Sequence, residues 1–197
     1  MMTSRKAQIA RKTRETDIRL EIDVDGDGTH RIETGIPFFN HMIELLSRHS
    51  LIDLTVEAIG DLEVDYHHTV EDVGLVLGEA LDQALGDRAG IARYGWCLLP
   101  MDEAISRVAI DLGGRPYLVF EMATRKRKIL EFDLWLLKHF FESLAQKGRM
   151  NLHVAQLYGE DAHHAYESVF KGVARALRMA CTPDEREKGV PSSKGMI

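Results

Sequence analysis

The chain is organised around the stretch His67-His68-Thr69-Val70-Glu71-Asp72, because its pattern returns in the second half as His163-His164-Ala165-Tyr166-Glu167. Each copy of His-His-x-x-Glu opens a segment with the apolar periodicity of a helix. A rare pattern that occurs twice, each time at the start of a predicted helix, indicates an internal duplication.

The spacing within each copy predicts where its side chains point. The glutamate lies four residues after the first histidine and three after the second, so we expect Glu71 to lie over both imidazoles. Adjacent residues leave a helix about 100° apart. His67 and His68 are therefore expected to serve different metal ions, and the ligands that complete each site must come from the other copy or from another subunit.

Other segments repeat in the same order. The paired ranges are 19–26 with 107–114, 41–47 with 139–145, and 54–56 with 152–154. Strands and helices that recur in one order predict an α+β fold, an internal duplication of a sheet-plus-two-helices unit. We expect the first half at residues 1–90 and the second at 91–197, forming one compact duplicated unit.

Alternating apolar and charged residues predict strands at 7–14, 17–24 and 30–33, and the Asp-Gly-Asp-Gly segment at 25–28 predicts a hairpin turn. This segment nearly matches the loop pattern of calcium-binding helix pairs, with Asp23, Asp25 and Asp27 in place. The twelfth position is Thr34 rather than a bidentate glutamate, and the flanks read as strands. The hairpin is therefore the favoured interpretation. Helices are predicted at 38–49, 67–85 and 163–179.

Composition indicates an ordinary globular protein, with 197 residues, 45% of them hydrophobic and 28% charged. A net charge of −6 gives no reason to expect nucleic acid or an anionic membrane as a partner. No apolar run reaches the roughly 18 residues of a membrane span, and residues 1–14 are basic without an apolar core, so a cytoplasmic location is expected. Cys97 and Cys181 lack metal-site spacing and are predicted to be reduced core residues.

The duplication also selects candidate metal ligands. His41 and His139 occupy matching helix segments, whereas His30, His49 and His153 have no counterpart and are not expected to bind metal. The paired set is His41, His67, His68, Glu71, His139, His163, His164 and Glu167. Divided over two sites, it gives each ion three imidazoles and one carboxylate and leaves positions for substrate. The alternative, in which the histidines only bond backbone carbonyls at helix starts, leaves the repeated glutamate unexplained.

At this point the chain resembles the imidazoleglycerol-phosphate dehydratase family along nearly its whole length. The motifs that carry the resemblance are RET (14–16), TGIPFFNHM (34–42), DYHHTVED (65–72), GIARYG (90–95), GRPY (114–117), HFF (139–141), GEDAHH (159–164), FKG (170–172) and PSSKG (191–195). One position departs from the family pattern. The usual aspartate before the first ligand histidine is Asn40, whose amide accepts from a neighbouring imidazole more weakly than a carboxylate does.

The resemblance implies a duplicated fold like the second domain of ribosomal protein S5, with two Mn²⁺ ions per active site, although other divalent ions fit such ligands. It places the metal ligands on the same eight residues that the repeat selects. It also implies a homo-oligomer of 24 subunits built from trimers, with active sites between subunits. The implied reaction, in L-histidine biosynthesis, is dehydration of D-erythro-imidazole glycerol phosphate to imidazole acetol phosphate through a metal-bound imidazolate.

The resemblance further assigns roles outside the metal ligands. Glu15 matches the family's catalytic carboxylate, which shuttles a proton. The positions that match substrate phosphate binding are Arg93, Arg115, Lys171, Ser192, Ser193 and Lys194, the last three in the C-terminal tail. The basic run at 125–128 is not part of the family pattern and is expected to be a solvated loop.

Two other kinds of protein carry similar ligands. The first kind comprises dinuclear metal hydrolases and di-iron oxidases, but the oxidases use Glu-x-x-His motifs on four helices and more carboxylate ligands. A metal-storage shell is the other, and its sites would be coordinatively closed. Metal-dependent turnover of imidazole glycerol phosphate separates the dehydratase from both.

Overall fold

A computed structural model describes residues 4–197, so the first three residues of the predicted first half lie outside it. The elements are β1 Lys6–Lys12, β2 Thr16–Asp23, β3 His30–Glu33, α1 Pro37–Ser50, β4 Asp53–Gly60, α2 His67–Leu85, β5 Tyr94–Met101, β6 Ala104–Asp111, β7 Tyr117–Glu121, β8 Lys128–Ile129, β9 Phe132–Asp133, α3 Leu136–Lys147, β10 Asn151–Tyr158 and α4 Ala162–Cys181.

Two four-stranded sheets have the same topology. The first has the order β1-β2-β4-β3 and the second β5-β6-β10-β7. In each sheet the first three strands are antiparallel, while β3 runs parallel to β4 and β7 parallel to β10. Strands β8 and β9 form a separate short ribbon before α3. The predicted duplication of a sheet with two helices is confirmed.

The predicted hairpin at 25–28 is wrong in its pairing. A turn is present, but β3 pairs with β4 rather than with β2, and β4 lies between them. The turn is held by Asp53, whose Oδ1 accepts from the backbone nitrogens of Asp27, Gly28 and Thr29, each at 2.9 Å. Local alternation cannot reveal a strand that arrives later in the chain and inserts between two neighbours in sequence.

Each sheet buries one face against helices. In β2 the side chains of Ile18, Leu20 and Ile22 are at most 4% exposed, whereas Arg19 and Glu21 between them are exposed. The helices of the two halves also contact each other, α1 with α4 and α2 with α3. The core therefore lies between the two sheets, and both halves contribute to it. Phe140 of α3 shows this, since its ring is 5.4 Å from that of Phe39 in α1 and 5.7 Å from that of Phe170 in α4.

A buried arginine ties the end of α2 to the second half. Arg88 is 1% exposed and forms an ion pair with Asp82. Its guanidinium donates to the carbonyl oxygens of Leu112 at 2.7 Å, Gly148 at 2.8 Å and Arg149 at 3.0 Å. Such a charge is stable in the interior only because it is paired and because its two terminal nitrogens find acceptors.

The predicted bounds are close for the helices and less so elsewhere. Helix α1 extends one residue beyond the prediction at each end, and α4 begins one residue earlier than predicted. Sequence patterns gave no bounds for β5, β7, β8 or β9. Cys181 is buried as predicted, but Cys97 on β5 is only half-buried, and both thiols are free. Within residues 4–197, no helix is both long and apolar enough to cross a membrane.

Candidate metal centre

Three of the predicted ligands converge on one point between the halves. The Nε2 atoms of His41 and His163 lie 3.1 and 3.0 Å from Oε1 of Glu167. One ligand atom from each residue falls within 4.8 Å of the others, a spacing that suits a shared metal ion. Because α1 carries the first histidine and α4 the other two residues, this group, the His41 triad, joins both halves.

The start of α4 orients its part of the triad. Asp161 is the N-cap, and its Oδ1 accepts from the backbone nitrogens of His163 at 2.6 Å and His164 at 3.3 Å. Glu167 follows His163 by four residues, so both side chains lie on the same face of the helix. That face packs against α1, which brings His41 to the same place.

Glu167 is kept ionised in a poorly hydrated position. It is 8% exposed, and burial alone would raise the pKa of its carboxyl. Hydrogen bonds from Lys171 and His41 outweigh burial and lower the pKa to about 2. Ionisation suits a ligand role, because carboxylates bind metal ions in the deprotonated form.

The duplicated group lies between α2 and α3. The rings of His67 and His139 are 4.8 Å apart between centroids, and Nε2 of His67 is 3.7 Å from Oε2 of Glu71. This group, the His139 triad of His67, Glu71 and His139, combines the same residue types from matching helices with the halves exchanged, at a longer distance from histidine to glutamate. The histidine carried by α1 or α3 therefore lies beside the first histidine of the His-His-x-x-Glu motif in the opposite half.

The expectation that Glu71 lies over both imidazoles is wrong. Glu71 faces His67, whereas Nδ1 of His68 lies 3.1 Å from both carboxylate oxygens of Asp61. Nε2 of His68 is 4.0 Å from Oε1 of Glu15, the predicted catalytic carboxylate. The rings of His67 and His68 are nearly perpendicular, at 85°. The two side chains diverge too far for one carboxylate to contact both.

The second copy shows the same divergence. Nδ1 of His164 lies 2.8 Å from Oε2 of Glu103, and its Nε2 is 3.6 Å from Oδ2 of Asp102. The hydrogen bond with Glu103 raises the pKa of His164, and the bond with His164 lowers the pKa of Glu103 to about 2. In the first copy, the hydrogen bond with Asp61 raises the pKa of His68.

Sequence reasoning missed Asp61 and Glu103. A signal existed for Glu103, which directly precedes β6 just as Glu15 directly precedes β2. Asp61 gave no such signal, because it has no carboxylate counterpart in the loop after β10, where Gly159 follows the strand.

Asn40 does not act on its neighbouring imidazole as expected. Its side-chain oxygen accepts from the backbone nitrogen of Thr34 at 3.1 Å and from the Thr34 hydroxyl at 2.5 Å. It therefore braces the loop that leads into α1.

The predicted phosphate-binding residues lie in two places. Lys171 pairs with Glu167 in the His41 triad. Arg93 pairs with Asp111 at 2.7 Å and donates to the carbonyl of Pro191 at 2.6 Å, which holds the C-terminal tail. Of the others, Arg115 is exposed on the loop between β6 and β7, and three lie in the tail, with Ser193 and Lys194 exposed and Ser192 half-buried. One chain does not gather this set into a single cluster.

The remaining histidines and the basic run are placed elsewhere. His30 contacts the Gly28 carbonyl through Nδ1 at 3.0 Å, His49 is half-buried on α1, and His153 is exposed on β10. Burial lowers the pKa of His49. All four residues of the run at 125–128 are exposed as expected, but only 125–127 lie in a loop, because Lys128 begins β8.

Comparisons with known proteins give one answer. A family model of imidazoleglycerol-phosphate dehydratase matches residues 34–177. The imidazoleglycerol-phosphate dehydratase of Dinoroseobacter shibae is 54% identical over 194 residues, which cover 98% of this chain and all of that protein. The crystal structure of the Staphylococcus aureus enzyme of that name has a TM-score of 0.82 at 36% identity, over 90% of this chain and 99% of that one.

The crystal structure of IGPD from Pyrococcus furiosus in complex with (S)-C348 has a TM-score of 0.83 at 36% identity, over 96% of this chain and all of that one. These likenesses span both halves and both histidine groups. The chain therefore belongs to the imidazoleglycerol-phosphate dehydratase family, hydro-lyases of histidine biosynthesis.

Proposed function

We propose that this chain dehydrates D-erythro-imidazole glycerol phosphate to imidazole acetol phosphate at a centre of two Mn²⁺ ions. The observation that carries the proposal is the convergence of His41, His163 and Glu167 across the two halves, repeated by the His139 triad. Two imidazoles and a carboxylate suit manganese and leave positions open for substrate. The outward-facing His68 and His164 supply the remaining nitrogens.

The difficulty of the reaction is that the proton to be removed is on a carbinol carbon with no carbonyl beside it. The chemistry that a bound ion supplies is stabilisation of the substrate's imidazole ring in its deprotonated form, whose electrons expel the neighbouring hydroxyl. The protein's own part is to move protons and to hold the phosphate.

Glu15 is suited to move the proton. It stands in the turn between β1 and β2, with 55% of its side chain exposed and its Oε1 4.0 Å from Nε2 of His68. Its backbone nitrogen donates to the Thr13 hydroxyl at 3.0 Å, which fixes the turn. We infer that its carboxylate takes the proton from the carbinol carbon and delivers a proton to the neighbouring carbon, which has lost the hydroxyl, when the enol becomes the ketone.

The phosphate-binding set supports a site shared between copies of the chain. Arg93 donates its backbone N–H to the Ala180 carbonyl, near the end of α4, whereas Lys171 lies nine residues earlier in that helix. At about 1.5 Å per residue, the two positions are roughly 13 Å apart along the axis. We propose that the tail of one copy and Lys171 of another bind one phosphate, in a 24-subunit particle built from trimers.

Metal-dependent turnover tests the chemical part of the proposal. Metal-free protein should not consume imidazole glycerol phosphate, and Mn²⁺ should restore the activity. His41→Ala should bind less metal and lose nearly all turnover, because one of about four ligands to an ion is missing. His153→Ala removes an exposed histidine outside both triads and is the matched control. Full metal content and rate in His41→Ala would contradict the assignment.

Particle size tests the shared site. Because His68 and His164 face away from the triads of their own chain, a bound ion should link subunits. Chelation should shrink the particle to a smaller oligomer, and Mn²⁺ should restore size and activity together. Light scattering that shows constant size through this cycle would mean that the sites close within one chain.

A further inference from the structure

We propose that Asp61 and Glu103 are positioning residues that fix the tautomer and direction of His68 and His164, so that each keeps an unprotonated Nε2 for a metal ion outside the triads of its own chain. The inference rests on the proposed function, in which these nitrogens bind a metal ion shared with a neighbouring copy. Neither carboxylate belongs to the predicted ligand set.

Asp61 is held rigidly enough to orient an imidazole. Its two carboxylate oxygens are both 3.1 Å from Nδ1 of His68, and 21% of its side chain is exposed. Its backbone nitrogen donates to the Glu15 carbonyl at 3.1 Å, and its carbonyl accepts from Val64 at 2.8 Å. The backbone of Asp61 is therefore fixed relative to the turn that carries Glu15, and its half-buried carboxylate extends from there to His68.

Glu103 uses both oxygens to join the imidazole to the start of α4. Its Oε2 lies 2.8 Å from Nδ1 of His164, and its Oε1 accepts from the backbone nitrogen of Asp161 at 2.8 Å. Asp161 in turn caps the helix through the backbone nitrogens of His163 and His164. Glu103 thus links the ring of His164 to Asp161, the residue that caps α4.

The chemistry of imidazole explains why such a contact matters. A carboxylate at Nδ1 can only accept, so the neutral ring must carry its proton there, and the lone pair of Nε2 is free for a metal ion. A free neutral imidazole in water favours the opposite tautomer, with the proton on Nε2. Carboxylate partners of ligand histidines select the tautomer and raise the basicity of the ligand nitrogen.

The duplication supplies independent support. Glu15 and Glu103 occupy matching positions before β2 and β6, yet Glu15 lies near Nε2 of its histidine and Glu103 lies at Nδ1. In the first half, the carboxylate at Nδ1 of the histidine is that of Asp61, which follows β4 and does not correspond to Glu103 in the duplication. Equivalent histidines therefore have a carboxylate on the same nitrogen, supplied by residues that are not equivalent. This leaves Glu15 free for the reaction.

Metal affinity is the first test. Asp61→Asn and Glu103→Gln replace an obligate acceptor with an amide that can also donate, and Glu103→Ala removes the acceptor altogether. Each should weaken Mn²⁺ binding roughly 10- to 100-fold, measured by calorimetric titration of the chelator-treated protein with Mn²⁺ alone. Glu63→Gln and Glu160→Gln remove exposed carboxylates from the loops that precede α2 and α4, the helices that carry His68 and His164, and both variants should bind Mn²⁺ like the wild type.

The tautomer in metal-free protein is the second test, and a purely structural role would not change it. In ¹⁵N spectra of histidine-labelled protein at alkaline pH, His68 and His164 should carry the proton on Nδ1, and each variant should move its own histidine towards the Nε2–H form. Unchanged tautomers or unchanged Mn²⁺ affinity would overturn the inference. If the wild type bound no Mn²⁺, the proposed function would fail, while the tautomer comparison would still decide the positioning role.

Discussion

Gly74→Ala is the sharpest test of how the fold supports the His139 triad. Gly74 lies on α2, and a Cβ atom there would be 2.6 Å from the carbonyl oxygen of Phe140 on α3 and 3.0 Å from Cβ of Ser143. One turn later, a Cβ at Gly78 would be 2.7 Å from the carbonyl oxygen of Leu144. The two glycines therefore let the backbones of α2 and α3 approach directly.

The geometry sets the size of the effect. Reaching ordinary van der Waals distance from the Phe140 carbonyl requires α3 to move by about 0.8 Å. Overpacking of this kind destabilises by about 1–3 kcal/mol, and contact with a backbone atom places this site near the upper end. The higher helix propensity of alanine over glycine offsets this loss of stability by about 1 kcal/mol. The expected net loss is about 2 kcal/mol, or a fall in Tm of roughly 4–8 °C.

The same displacement should loosen the metal site. His67 is carried by α2 and His139 by α3, with ring centroids 4.8 Å apart. Metal–ligand distances tolerate changes of only about 0.2 Å, so moving α3 by about 0.8 Å should weaken Mn²⁺ binding. Both effects have one cause and should appear together in one variant.

Urea denaturation of the metal-free protein at fixed concentration, with Mn²⁺ titration alongside, measures both quantities. Gly189→Ala is the control, because a Cβ there meets nothing within 4 Å. A denaturation midpoint for Gly74→Ala equal to that of Gly189→Ala would refute the close helix approach. Lost stability with unchanged Mn²⁺ affinity would separate the helix contact from the metal site.

Three further perturbations have defined outcomes. Arg88→Met should reduce the free energy of unfolding by about 3–5 kcal/mol, because it leaves Asp82 and buried carbonyl groups without their donor. The control is Arg186→Met, at an exposed position, and equal denaturation midpoints for the two variants would contradict the argument. The hydrogen bond from Arg5 lowers the pKa of Asp25. This ion pair should therefore stabilise the fold by less than about 1 kcal/mol at neutral pH and lose that effect as the pH falls below about 4, the pKa of aspartate in the unfolded chain. The stability difference between wild type and Asp25→Asn should shrink over that range, and a constant difference would refute the argument. Glu15→Gln should keep metal content and particle size while kcat falls roughly 10²- to 10⁴-fold, and a normal kcat would remove Glu15 from the reaction.

Much of the fold could be predicted because duplication makes each half a check on the other. A single His-His-x-x-Glu motif is weak evidence for a metal site. Its second occurrence at the start of another predicted helix also allowed the surrounding strands and helices of the two halves to be matched in sequence. Alternation in β2 predicted which side chains are buried, since a strand with one covered face must alternate. The ends of α1, α2 and α4 were predicted within two residues because Pro37 and the histidine pairs mark the starts, whereas the segment at 139–145 begins three residues after the start of α3.

What sequence patterns could not predict depends on contacts between distant segments. The place of β4 between β2 and β3 follows from how the sheet assembles, and alternation within each strand is the same for either order. Asp61 is an ordinary loop carboxylate in sequence, and the match of Glu103 to Glu15 does not reveal which imidazole nitrogen Glu103 reaches. The expectation for Glu71 failed because helical spacing fixes the face on which a side chain lies but not its rotamer or nearest partner.

The pairing of helices across the halves explains why both copies of the motif are needed in one chain. His41 comes from the first half and lies beside His163 and Glu167 of the second, while His139 comes from the second half and lies beside His67 of the first, which in turn faces Glu71. Neither half alone could form a triad, because its own histidine helix faces the other half. On the proposed function, metal binding and the docking of the halves are thermodynamically linked, since an ion that binds only the docked arrangement stabilises it. A change at the α2–α3 contact should then reach the metal site without touching a ligand.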